Sequence, residues 1–231
     1  MATPTPRRWL RYSLRSMLGL VTVFGLWLGV QVNRAEQQRR AVAAIERLGG
    51  KVHYDWKWRR GWTEVELNRE VEARKSARLR KLLGDHYFDT VVAVDLMYPE
   101  NNLTDPDLDY LLEFPKLEQV WLTHQPITDK GISQLAHIKT LRILDLQKTA
   151  ISDACLDDIL RLPNLEWLNV GETRVTARGL THLLKMPKLR ELYISAEQLR
   201  TAGGWEGMTK ALPGIRILVL FDSEPSELEW D

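Results

Sequence analysis

Leu141-Arg-Ile-Leu144-Asp-Leu146-Gln-Lys-Thr149-Ala-Ile151-Ser-Asp-Ala-Cys155-Leu156 is the clearest copy of a pattern that recurs along the chain. Segments opening at Leu117, Leu141, Leu165 and Leu189 share a 24-residue period, and each begins Leu-x-x-[Leu/Val]-x-[Leu/Val/Ile]. Three of them share a second half, x-x-[Gln/Thr]-x-[Ile/Val]-[Thr/Ser]-[Asp/Ala]-x-[Gly/Cys]-[Ile/Leu]-x-x-[Leu/Ile], and a Leu-Pro or Met-Pro pair closes two.

The opening of each segment has the spacing of a short strand with one buried face, carried by Leu117, Val120 and Leu122 and by their counterparts in the later copies. The second half places apolar residues three or four apart (Ile132, Leu135, Ile138; Leu156, Ile159, Leu162; Leu180, Leu183, Met186), as in a short helix on the other side of the same core. Thr128, Ser152 and Thr176 stand where an N-cap is wanted. Asp129 and Asp153 follow two of these caps and suit the positive end of a helix dipole. Pro163 and Pro187 stop the helices. One such unit buries too little apolar surface to offset the entropy of ordering it, so the units must stack.

These residues resemble the leucine-rich repeat. Gln125, Thr149 and Thr173 replace the asparagine of the common pattern, which points to the bacterial subtype with Ile-Thr-Asp-x-Gly-Leu second halves. Side chains of these types can still hydrogen-bond the turn backbone. The resemblance implies an α/β leucine-rich repeat solenoid over 88–220, with a parallel sheet on the concave side and short helices on the convex side. An N-terminal α+β cap and a transmembrane helix would complete it.

The N-terminal region supplies that helix. Arg7, Arg8, Arg11 and Arg15 precede an uncharged run from Met17 to Val32, and Arg34, Arg39 and Arg40 follow it. The apolar residues of the run go all the way round a helix, unlike those of an amphipathic core helix. At 1.5 Å per residue the run reaches about 25 Å of a hydrocarbon core roughly 30 Å thick, so flanking residues must join it. A cleaved signal peptide has the same basic and apolar regions, but no small-x-small site follows; Val30-Gln31-Val32-Asn33 is a poor one. The favoured reading is a basic cytoplasmic tail over 1–15 and an uncleaved anchor over 16–32, with the remainder of the chain outside the cytoplasm.

Residues 33–87 read as a juxtamembrane helix and cap. Ala41, Ala44, Ile45 and Leu48 line one side before Gly49-Gly50, and Lys51 to Trp58 alternates like a strand. The segment 68–83 has a charged, helical composition, and 51–86 is placed to cover the open end of the first unit, whose strand carries Val91, Val94 and Leu96. The stretch from Leu14 to Gly50 resembles the N-terminal module of short membrane-anchored bacterial leucine-rich repeat proteins. That resemblance implies an extracytoplasmic interaction domain and transfers no catalytic residues. At the other end, Gly214 to Leu220 reads as a last strand after an irregular unit, where the spacing is 26. Phe221 to Asp231 forms an acidic tail that is frayed or covers that strand's edge.

Strand residues between the buried positions line the concave face in two rows. Gln119, Ile143, Trp167, Glu191 and Ile217 form one; Trp121, Asp145, Asn169, Tyr193 and Val219 form the other. Aromatic side chains ringed by polar groups, at positions expected to be exposed, compose an interface centre. Gln119, Trp121, Ile143, Asp145, Trp167, Asn169, Glu191 and Tyr193 are therefore the candidate partner-binding residues. The bland alternatives are ordinary exposed tryptophans or a lid from Trp56, Trp58 or Trp62.

Other chemistry has little support. Lys57-Trp58-Arg59-Arg60-Gly61-Trp62, with Arg74, Lys75, Arg78, Arg80 and Lys81, could lie on anionic lipid, but Glu64, Glu66, Glu70 and Glu72 interleave as in a solvated helix. Nucleic acid is not expected outside the cytoplasm. His53, His86, His124, His137 and His182 are scattered without metal-ligand spacing, Cys155 is the single cysteine, and Gly203-Gly204 lacks the sequel of a phosphate loop. No cofactor, metal site or enzymatic activity is expected. The expected function is a tethered module binding a protein or an envelope polymer through its concave face. The alternative is an envelope scaffold that self-associates through its ends or its basic helix.

Overall fold

A computed structural model describes residues 14–54, 90–97 and 103–220. The aliphatic positions that recur in the sequence become one continuous interior. Val120, Leu144, Leu168 and Leu192 lie opposite one another on successive parallel strands, and none is accessible to solvent. The strands that carry them are β3 (Gln119–Trp121), β4 (Ile143–Asp145), β5 (Trp167–Asn169) and β6 (Glu191–Ser195). They belong to an open seven-stranded sheet whose spatial order is the sequence order, β1 to β7. β1 (Lys51–Tyr54) pairs antiparallel with β2 (Val91–Asp95) at one edge, and β7 (Arg216–Leu220) closes the other.

Each parallel crossover passes through a short helical segment. These are a 3₁₀ helix at Asp105–Glu113, α2 (Asp129–Leu135), a 3₁₀ turn at Asp153–Cys155 leading into α3 (Leu156–Ile159), and α4 (Ala177–Leu180) running on as a 3₁₀ helix to Lys185. The expected period-of-four helices are thus partly realised as tighter 3₁₀ turns, which fit where only a few residues separate cap from proline. α5 (Ala196–Thr201) and α6 (Gly204–Ala211) follow β6, joined through left-handed Gly203 and Gly204. Thr128, Ser152 and Thr176 are N-caps as expected, each accepting from a backbone N–H inside its own helix or turn.

The aspartates do more than meet a helix dipole. Asp105 accepts from the Thr128 N–H at 2.8 Å and from its hydroxyl; Asp129 does the same for Ser152 (2.7 and 2.7 Å), and Asp153 for Thr176 (2.7 and 2.6 Å). A carboxylate of one unit therefore grips the cap of the next with two charge-assisted hydrogen bonds. The glycine of the motif makes room for it. A Cβ on Gly131 would stand 2.7 Å from Asp105 Oδ1, and one on Gly179 would stand 2.1 Å from Asp153 Oδ1. Cys155 fills the corresponding place beside Asp129, fully buried, and burial together with that carboxylate pushes its thiol pKa up to about 12. Where Ala177 replaces the aspartate the ladder stops. Ser195, the next cap, turns to its own Gln198, whose amide nitrogen reaches the Val170 and Val175 carbonyls at 3.1 and 2.8 Å.

At the N-terminus the expected anchor and the expected juxtamembrane helix are not separate elements. α1 runs unbroken for 34 residues from Leu14 to Arg47. In its first half apolar side chains on every side, including Leu18, Val21, Phe24, Leu26, Trp27 and Val30, are exposed. Ala35 is the first buried residue of the helix, and Ala41, Val42 and Ile45 lie in the common core. The helix is long and apolar enough to cross a membrane. It ends as the glycine pair predicts: Gly49 adopts φ 78°, its N–H donates to the Glu46 carbonyl, and the Gly50 N–H reaches back to Ile45 at 2.9 Å. The segment 68–83 expected to be helical, the basic stretch 57–62 and the acidic stretch 221–231 lie outside the described residues.

The register of the last strand corrects the sequence reading. Glu191 lies opposite Arg216 and Tyr193 opposite Leu218, a spacing of 25 rather than 26. Ile217 and Val219 therefore pack against the core instead of joining the two surface rows. The irregular unit has two helices in place of one, and the pattern of apolar residues alone did not fix where its strand began.

Asp129→Ala is expected to lower unfolding free energy by about 2 kcal/mol, since it removes two hydrogen bonds to a charged group. Gly179→Ala should destabilise as well, through displacement of the Asp153 carboxylate. Urea denaturation of both variants measures this, and an unchanged midpoint would contradict the ladder.

Candidate functional site

The face of the sheet away from the aliphatic ladder carries two in-register rows. One runs Ala93, Gln119, Ile143, Trp167, Glu191, Arg216; the other runs Asp95, Trp121, Asp145, Asn169, Tyr193, Leu218. All eight candidate residues are thus brought together on one face. They are not equally open, and the expectation of general exposure is corrected here. Gln119 (8 %), Asp145 (8 %), Trp167 (6 %) and Asn169 (3 %) are buried, whereas Trp121, Ile143, Glu191 and Tyr193 are half-buried. Large side chains on neighbouring strands about 4.8 Å apart cover one another's flanks, which a count of strand positions does not register. The Trp167 and Tyr193 rings show this, with centroids 4.7 Å apart and planes tilted by 46°.

Asp145 and Asn169 owe their positions to the backbone. Asp145 Oδ1 accepts from the Gln147 N–H and Asn169 Oδ1 from the Gly171 N–H, both at 3.0 Å, so each side chain closes a turn two residues beyond its strand. Asp95 does the same with Met97 at 3.1 Å. Burial raises the Asp145 pKa above the ordinary carboxylate value, opposed by the hydrogen bond from the Gln147 N–H. At the row's end Glu191 pairs with Arg216 at 3.2 Å.

Just past the strands, His124, Lys148 and Glu172 occupy left-handed backbone at φ 64°, 55° and 56°. The first two send their N–H groups to the next unit: His124 to the Gln147 carbonyl at 2.9 Å and Lys148 to Gly171 at 3.0 Å. Glu172 accepts from Gln147 Nε2 at 2.7 Å and pairs with Lys148 at 3.2 Å. A groove of about 460 Å³ opens along this edge, lined by these residues with Pro126, Thr149 and Arg174. The motif reading did not single out Lys148, Glu172 or Arg174, although His124, Lys148 and Glu172 recur at the same interval as the leucines that open each segment. Thr149 and Thr173 behave as expected for residues in the asparagine position, donating to the Leu146 and Val170 carbonyls at 2.7 and 2.6 Å.

Among the described residues no group of histidine, cysteine and carboxylate side chains could hold a metal ion. His137 Nδ1 lies 3.1 Å from the Gln134 carbonyl of its own helix. With its raised pKa and full burial, the Cys155 thiol has neither the ionisation nor the access of a nucleophile. His86 lies outside the described residues. No protein-family model matches the chain, and no curated protein matches it.

Because the folded pKa of Asp145 is raised, the cost of its buried charge is present above that pKa and is relieved as pH falls through it. The stability gained by Asp145→Asn relative to the natural chain should therefore be larger at neutral pH than at pH values below the usual carboxylate range. Chemical denaturation of both proteins across this interval checks the sign.

Proposed function

We infer that the protein is a membrane-tethered leucine-rich repeat module of the Ile-Thr-Asp-x-Gly-Leu kind, which binds a protein or an envelope polymer through the row-bearing face of its sheet. The 24-residue period, the parallel in-register strands and the opposed short helices support the solenoid reading. The apolar first half of α1 supports the tether. The arginines that precede it favour a cytoplasmic N-terminus, with the sheet outside the cytoplasm.

The observation that carries the proposal is the graded burial of the two rows. Trp121, Ile143, Glu191 and Tyr193 are the side chains a partner would touch. Gln119, Asp145, Trp167 and Asn169 form the packed floor that holds them in place. Aromatic residues pinned by such a floor lose little conformational freedom on contact, which is what a binding hot spot requires.

Capture of a partner from native envelope by the detergent-solubilised full chain tests this. Trp121→Ala and Tyr193→Ala should each weaken capture by a factor of ten or more, about 1.4 kcal/mol or above; thermal unfolding should change little for Trp121→Ala and fall modestly for Tyr193→Ala, which loses its ring contact with Trp167. Equal capture by the natural chain and the double variant would refute binding through this face.

A further inference from the structure

We propose that the helical side of the unit between β5 and β6 binds a linear polyanion, a flexible chain that carries phosphate groups and no bases. This surface is separate from the row-bearing face of the sheet, and the inference does not depend on what that face binds.

The segment Thr173–Arg190 contains Arg174, Arg178, His182, Lys185, Lys188 and Arg190 and no aspartate or glutamate. All six basic side chains are exposed, and none is in an ion pair among the described residues. Lys188 donates to the neutral Asn164 Oδ1 at 2.7 Å, which leaves its charge uncompensated. The repeat itself does not call for this composition. One unit earlier the matching positions hold Ala150, Ala154, Asp158, Arg161, Asn164 and Glu166. The carboxylates around the segment are committed elsewhere. Asp153 holds the Thr176 cap, Asp158 pairs with Arg161 at 3.0 Å, Glu172 with Lys148 at 3.2 Å and Glu197 with Arg200 at 2.7 Å. Among the described residues of the adjoining helical segments, Asp157 and Glu206 are the carboxylates left without such a partner, so the unit keeps an excess of positive charge.

The cations lie along a track. Arg178 and His182 are four apart, and His182 and Lys185 three apart in the 3₁₀ continuation of α4, so the three share one side of the helix at steps of about 6–7 Å. Arg174, past the end of β5, lines the groove of about 460 Å³ with His124 and Lys148, and Arg190 directly precedes β6. The charge thus follows the bend of the unit from one strand to the next. A flat bilayer would meet the helical middle of this track rather than its two strand-end arginines, whereas a flexible chain can follow all of it. A protein partner would use aromatic and apolar anchors, and single-stranded nucleic acid would use aromatic rings on which to stack its bases. The segment has no aromatic residue, and Leu184 is its one exposed large hydrophobic side chain. What it offers is guanidinium and ammonium donors for phosphate oxygens, with release of counterions from the polymer.

The test footprints lysines of the full chain in neutral detergent micelles, by acetylation and mass spectrometry, with and without inorganic polyphosphate. Lys185 and Lys188 should be protected, while Lys116 and Lys130 stay reactive, and the protection should fade as salt is raised. Arg178→Glu or Arg190→Glu should raise the half-protecting concentration at Lys185 by about tenfold or more. Lys130→Glu makes the same charge change at the position that matches Arg178 two units earlier, and it should shift that concentration by less than about twofold. Lys185 equally reactive with and without the polymer overturns the proposal, as does an equal loss from Lys130→Glu, which would reduce the effect to net charge. Protection by phosphatidylglycerol vesicles at a lower phosphate concentration than by polyphosphate overturns it in favour of a lipid surface. Protection by oligothymidylate at a lower phosphate concentration overturns it in favour of a ligand read through its bases.

Discussion

Every other feature of this structure depends on parallel strands meeting in strict register, those from β3 to β6 each 24 residues along the chain from the one before. That spacing puts Val120, Leu144, Leu168 and Leu192 in one line with no solvent access. A single unit has a hydrophobic strand face and a hydrophobic helix face but too little of either to order itself. In the structure these strand and helix faces meet in one interior. A shift of one residue in any strand would send its aliphatic side chains to the opposite face, so apolar burial fixes the register strongly. The aspartate ladder then fixes it on the helical side. Asp105, Asp129 and Asp153 each grip the cap of the unit that follows, and Gly131 and Gly179 leave space for the carboxylate. Apolar and polar constraints thus enforce the same step.

The candidate surface is a by-product of that register. The same alternation that buries the aliphatic residues aligns Gln119, Ile143, Trp167 and Glu191 in one row and Trp121, Asp145, Asn169 and Tyr193 in the next. Half of these residues are spent on holding the face in shape. Asp145 and Asn169 close the turns after their strands, and Trp167 packs against Tyr193. At the opposite end of the stack α1 enters the same core through Ala41, Val42 and Ile45. The apolar helix and the sheet are thereby parts of one packed body.

The sequence disclosed the strands, their order, the caps and the aliphatic ladder, because each of these is set by local periodicity and by residues whose conformational preferences are strong. Three features were not legible. The continuity of α1 across Asn33 was hidden by a change from all-round apolar to one-sided patterning, which looks like a boundary although the backbone crosses it undisturbed. The register of β7 depended on how two helices, α5 and α6, pack around Gly203 and Gly204, and no repeated unit existed against which to align them. The burial of Trp167 and Asn169 arises between strands, from neighbours one unit away along the chain, and a position on an outward-facing row says nothing about how large those neighbours are. The aspartate ladder was half visible: the Thr-Asp and Ser-Asp pairs stood out, but their use across units required knowing that the units touch at that point.

The shared interior can be tested most directly by native-state hydrogen exchange on Leu168→Ala, which deletes one rung of the ladder in the middle of the sheet. A cavity there should cost about 2–5 kcal/mol. If the units form one core, protection should fall together for amides of β3, β4, β5 and β6, with a single unfolding transition. Loss of protection confined to residues 165–188, with β3 and β4 as protected as before, would contradict the account.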